Sequence, residues 1–134
     1  MPIYLTKNSP MFVAFHANTA GLTWTTQPAG IAELVASVCR HQVDLTGYNQ
    51  CRISAYIATS GFAGSILFMQ YSTDGGTNWF SLSGTIPITQ AQVQVSAWAA
   101  IPAGAVKDVL VRIAGSGGDG TVSPILKMIA GHFR

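Results

Sequence analysis

Residues 65–82 read SILFMQYSTDGGTNWFSL. Two apolar stretches flank a short run of Asp and Gly, the pattern of two strands folding back on each other. SILFMQY is apolar on both of its alternating sets, which predicts a central strand with one face in a core and the other covered. TDGG offers Asp and Gly where a connection needs hydrogen bonds to backbone amides or a positive φ. NWFSLSG then supplies the returning strand. Trp79 and Phe80 are neighbours in it, so alternation sends one ring inward and the other outward. Trp79 is expected to be the inward ring, because a large ring just after a tight turn can close the end of a sandwich over the preceding strand.

The same period of two recurs on both sides of this hairpin. Ile53, Ala55 and Ile57 alternate with Arg52, Ser54 and Tyr56, while Val93, Val95 and Ala97 alternate with Gln92, Gln94 and Ser96. Val109, Val111 and Ile113 repeat the pattern opposite Leu110, Arg112 and Ala114. Each set predicts a strand with one apolar face buried. NSP, AGL, QPAG, TSGFAGS, DGG, IPAG and GSGGDG mark turns or loops between them. GIAELVASV, residues 30–38, has apolar residues at helical spacing and fits a strand or one helical turn equally well. Short strands at intervals of about eight to twelve residues, with no sustained helical pattern, predict an all-β chain folded as a sandwich or barrel. Residues 11–134 are expected to form that domain, and residues 1–10, polar and bounded by proline, an N-terminal arm.

Composition sets the wider limits. The chain has 134 residues, 49% hydrophobic and only 9% charged, with a mean hydropathy of +0.35; an average soluble domain is about 25% charged. That length suits one domain with an independent core. No apolar run approaches the ~18 residues of a membrane span, and MPIYLTKNSP lacks the layout of a signal peptide, so a soluble protein without a membrane partner is expected. Its surplus of apolar surface implies burial against partners, with self-association among them. The seven basic residues, Lys7, Arg40, Arg52, Lys107, Arg112, Lys127 and Arg134, are scattered. Nucleic-acid binding needs a concentrated basic stripe, so no nucleic-acid partner is expected. Cys39 and Cys51 flank the turn LTGYNQ; in an exported protein such a pair could form a disulfide, and without an export signal free, buried thiols are the expectation.

Chemistry-bearing motifs are mostly missing. The acids Glu33, Asp44, Asp74, Asp108 and Asp119 form no short-range carboxylate pair, and His16, His41 and His132 lie at no metal-ligand spacing. Neither cysteine sits in a nucleophile elbow or a redox motif. GSGGDGT, residues 115–121, lacks the Lys and Ser/Thr that close a phosphate loop and is followed by a strand pattern rather than a helix. Neither a cofactor nor a metal is expected. Asp74 and Asp119 in their loops are the only residues suggestive of Ca²⁺, and one acid per loop is too few for a convincing site. No enzymatic activity is expected.

Four features, VDLTGY, QYSTDGGTNW, KDVLVRI and GGDGT, spread over residues 40–134, give a succession of strands and turns that resembles the jelly-roll virion proteins of tailed bacteriophages. Those proteins are similar in design to carbohydrate-binding modules. The resemblance implies an antiparallel β-sandwich of jelly-roll type. It also implies a capsid decoration or cement protein, assembled in the host cytoplasm onto the exterior of the virion, that binds the major capsid protein as a homotrimer. Capsid contacts would then come from the arm, Met1, Pro2, Ile3, Tyr4, Leu5, Thr6 and Lys7, and from the outward members of MFVAFH. The alternative within the same resemblance is a carbohydrate-binding module or tail adhesin. There Trp79, Trp24 or Tyr71 would stack on a glycan, and Asp74 or Asp119 would fix its hydroxyls.

Overall fold

The computed structural model describes residues 11–23, 31–33, 40–59, 65–88, 91–105, 108–116 and 125–134. Eleven strands run along these residues: β1 Met11–Thr23, β2 Ile31–Glu33, β3 Arg40–Val43, β4 Gln50–Thr59, β5 Ile66–Ser72, β6 Phe80–Ser81, β7 Ile86–Pro87, β8 Val93–Val95, β9 Ala99–Ala100, β10 Val109–Ser116 and β11 Ile125–Phe133. The segment that fitted strand or helix equally begins as the short strand β2. Its other residues, 30 and 34–38, lie outside the described residues.

All pairings are antiparallel. The first sheet has the order β1-β11-β4-β8, with β9 also on β4; the second has β2-β10-β5-β6, with β3 also on β10 and β7 also on β5. Three pairs of short strands therefore each share one edge: β2 with β3, β6 with β7, and β8 with β9. This leaves eight strand positions, four per sheet. The first strand pairs the last, β10 pairs β2 and β3, β4 pairs β8 and β9, and β5 pairs β6 and β7. A long antiparallel ribbon, rolled so that its outermost strands meet, produces this nesting, which is the jelly-roll connectivity. The chain is an antiparallel β-sandwich.

The core lies between the sheets and is mainly aliphatic. Ile53, Ala55 and Ile57 of β4 and Val109, Val111 and Ile113 of β10 are fully buried, as their alternation predicts. Leu67 and Met69 of β5 extend the layer beside β10, and Leu126, Ile129 and Phe133 of β11 extend the opposing one beside β4. Each such Ile, Leu or Phe contributes roughly 1.5–3 kcal/mol by leaving water. Central strand β5 is also shielded on its other face, where Phe68 and Gln70 are buried.

Two hydroxyls complete the ladders where the edge strands are short. Ser96 Oγ accepts the Ile53 amide at 3.0 Å and donates to the Ala97 carbonyl at 3.1 Å. Ser83 Oγ does the same in the other sheet, accepting the Met69 amide at 2.9 Å and donating to the Gly84 carbonyl at 2.7 Å. Each sheet thus spares a central-strand amide from burial without a partner.

Strand β8 departs from its expected orientation. Val93 and Val95 are 55% and 48% exposed, whereas Ser96 is buried. Periodicity separates two faces of a strand without saying which one meets the core. Pairing decides it: Val95 sits opposite Ser54 and Val93 opposite Tyr56. Both partners are members of the outward set of β4, so the valines share that outer face.

Candidate functional site

The opening hairpin is wider than a tight turn. β5 ends at Ser72 and β6 begins at Phe80, so Asn78 and Trp79 belong to the connection. Asp74 builds it: Oδ1 accepts the amides of Thr77 at 3.1 Å and Asn78 at 2.9 Å, and Oδ2 accepts Asn78 Nδ2 at 2.7 Å. Ser72 Oγ donates to Asp74 Oδ1 at 2.7 Å and accepts the Gly76 amide at 2.9 Å. These bonds favour the carboxylate, chiefly the one from the Asn78 amide, and hold the Asp74 pKa down to about 2. Gly75 and Gly76 have φ of 74° and 97°, as a turn of this shape requires. A Cβ on Gly76 would also come within 3.2 Å of Arg40 Nη1 and 3.4 Å of Trp79 Cζ2.

Trp79 is not a core residue, contrary to expectation. Its Nε1 donates to the Gly76 carbonyl at 2.9 Å, and the guanidinium carbons of Arg112 and Arg40 lie 4.1 and 5.0 Å from its ring centroid. Arg112 and Arg40 are register partners on the outward set of β10 and β3, which places the indole over the outer face of the second sheet. Arg112 Nε also donates to Gln70 Oε1 at 2.9 Å. Phe80 takes the other side. It pairs with Tyr71, their ring centroids 5.7 Å apart, at the margin of the core, and stays 53% exposed.

A second indole is held in the same way on the opposite side of the molecule. Trp98, between β8 and β9, has the guanidinium carbons of Arg134 and Arg52 at 4.0 and 4.4 Å from its centroid. Arg134 closes the sheet behind it: its carbonyl accepts the amides of Asn49 and Gln50, and its Nε donates to Gln50 Oε1 at 2.8 Å. Beside Arg52, His132 Nε2 lies 2.9 Å from Ser54 Oγ. Burial, and then the Arg52 charge, lower the His132 pKa. Further along the same outer face stand Tyr56, Val93, Val95 and Met128, each at least 36% exposed. Register joins them: Tyr56 lies between Val93 and Met128, and Ser54 between Val95 and Ala130. The result is an apolar strip across β11, β4 and β8, with the Arg52–Trp98–Arg134 stack at one end.

Of the residues expected to act, the structure places Trp79 and Asp74 together in the hairpin and Tyr71 on the inner face of β5 beside Phe80. Trp24, Asp119 and the arm residues Met1 to Lys7 lie outside the described residues. Within MFVAFH, Phe12 and Ala14 hold register positions opposite His132 and Ala130 of β11. The strip itself escapes a reading by motif, because it is assembled from three strands distant in sequence. Cys51 is a free thiol; it donates to the Leu82 carbonyl at 3.1 Å, and burial pushes its pKa up to about 12. Cys39 lies outside the described residues. Among the described residues, no group of three or more His, Cys, Asp or Glu could hold a metal ion, and no helix is long and apolar enough to cross a membrane.

No protein-family model matches the chain, and no curated protein sequence is significantly similar to it. Among solved structures, the chain is similar to one in the structure of infectious bursal disease virus Gx strain, with a TM-score of 0.51 and 11% identity. The match covers 93% of this chain and 32% of the other, so this chain spans about a third of its neighbour's length. At that identity, the likeness is one of fold.

Proposed function

We propose that this chain is a structural, non-catalytic protein of a virus particle, a decoration or cement protein that binds the major capsid protein on the exterior of the shell as a homotrimer. The observation that carries this reading is the jelly-roll sandwich itself, similar over 93% of the chain to part of a chain from a virus structure. Two features of the molecule support a binding role. Its candidate site is an apolar strip with an Arg–Trp–Arg stack, and its hairpin acid Asp74 is engaged in shaping a loop. Tyr, Trp, Met and Arg are the residue types that interfaces favour.

Such a protein works by mass action. Anything that binds only the assembled shell stabilises it by the free energy of that binding, and a contact repeated over a lattice acts at every position. A stable contact of this kind buries about 1,200–2,000 Å² in total. Purified chain added to empty heads assembled without it should co-sediment at saturating stoichiometry and raise the temperature at which the heads disrupt. Heads that neither retain the chain nor gain stability would refute the proposal.

A further inference from the structure

We infer that the outer face of the first sheet is the surface that docks, and that its partner presents an apolar patch bordered by carboxylates. The inference rests on the reading of a shell-attached protein and specifies the face and the chemistry of the contact. It begins with β8. A strand whose valines alternate with Gln94 and Ser96 normally turns the valines to the core, yet here Val93 and Val95 point outward. The same face adds Tyr56 from β4 and Met128 from β11 as direct register neighbours. A contiguous apolar strip of this kind marks an interaction surface.

Charge identifies the occupant. No strand of the first sheet, β1, β4, β8, β9 or β11, contains an Asp or a Glu, while β4 and β11 carry Arg52, Lys127 and His132, and Arg134 follows directly. Arg52 Nε is shut away from water with no hydrogen-bond acceptor among the described residues. A second copy docking through this face would bring cations and no strand carboxylate. A partner with acidic groups around an apolar centre would meet Tyr56, Val93, Val95 and Met128 with apolar surface and the Arg52–Trp98–Arg134 end with counter-charge.

The test compares binding of four proteins to empty heads: wild type, Val95→Glu, Met128→Glu and Ser81→Glu. Ser81 is exposed and pairs with Gln70 on the outer face of the other sheet, so it serves as the control. Circular dichroism and melting establish which variants are folded, and Met128→Glu reports on the same face should Val95→Glu fail to fold. Wild type and Ser81→Glu should bind alike and more weakly as salt rises, whereas Val95→Glu and Met128→Glu should lose roughly tenfold or more in affinity. Folded strip variants that bind heads like wild type would overturn the inference while leaving the shell-binding reading standing. Strip variants that change only the oligomeric state would assign the face to a second copy and overturn it as well. A wild type that does not bind would remove the reading beneath it, and this inference with it.

Discussion

Trp79 sits over the second sheet with a guanidinium carbon 4.1 Å from its ring centroid, and its energetics follow from that place. A buried aromatic costs about 3–5 kcal/mol when cut to Ala, but an outer-face indole held by cation–π contacts of roughly 0.5–1 kcal/mol each should cost only about 1–2 kcal/mol. Urea unfolding of Trp79→Ala checks this; a loss in the core range would contradict the placement. Asp74 makes the hairpin sensitive to acid. Its folded pKa of about 2 lies below the ordinary carboxylate value of 3.8, so its contribution is complete above about pH 4 and disappears as pH falls toward 2. The difference in melting temperature between wild type and Asp74→Ala should therefore shrink steadily over that window. A difference that stays constant would contradict the hydrogen bonding described for the carboxylate. The position of Trp79 was illegible in sequence for the same reason. Once Asp74 gathers the amides of Thr77 and Asn78, the strand starts at Phe80, and alternation counted from the turn is out of phase.

Strands show where periodicity carries information and where it stops. β4 and β10 present Ile53, Ala55, Ile57, Val109, Val111 and Ile113 to the core as their alternation predicts, because both strands lie inside their sheets with the apolar set facing the other sheet. β5, apolar on both sets, is central and covered on both faces. β8 has an equally clear alternation with the opposite sense, and only its partner β4 reveals it. The candidate site depended on that sense, since the strip exists only when Val93 and Val95 join Tyr56 and Met128. Short edge strands also demand compensation that no periodicity shows, in the hydroxyls of Ser83 and Ser96. Ser96→Ala leaves the buried Ile53 amide without its acceptor and should cost about 1–3 kcal/mol. Hydrogen exchange at the Ile53 amide should speed up in parallel; unchanged exchange would show that another acceptor takes over.

The whole molecule is a rolled ribbon whose two sheets expose different chemistry. Both described tryptophans lie outside the aliphatic core, each against two arginines, one over each sheet. The first sheet adds an apolar strip and has no acid in any strand, which gives it the chemistry of an attachment face. On the proposed reading, this is the face that the shell covers, in a chain with only 9% charged residues. The most direct measurement is electron microscopy of intact particles at a resolution that traces strands. The expected density is an eight-position sandwich on the outer surface of the head lattice, with β11, β4 and β8 turned toward the shell and acidic shell residues near Arg52 and Arg134. Density for this chain at the tail tip, or on the head with that face open to solvent, would contradict it.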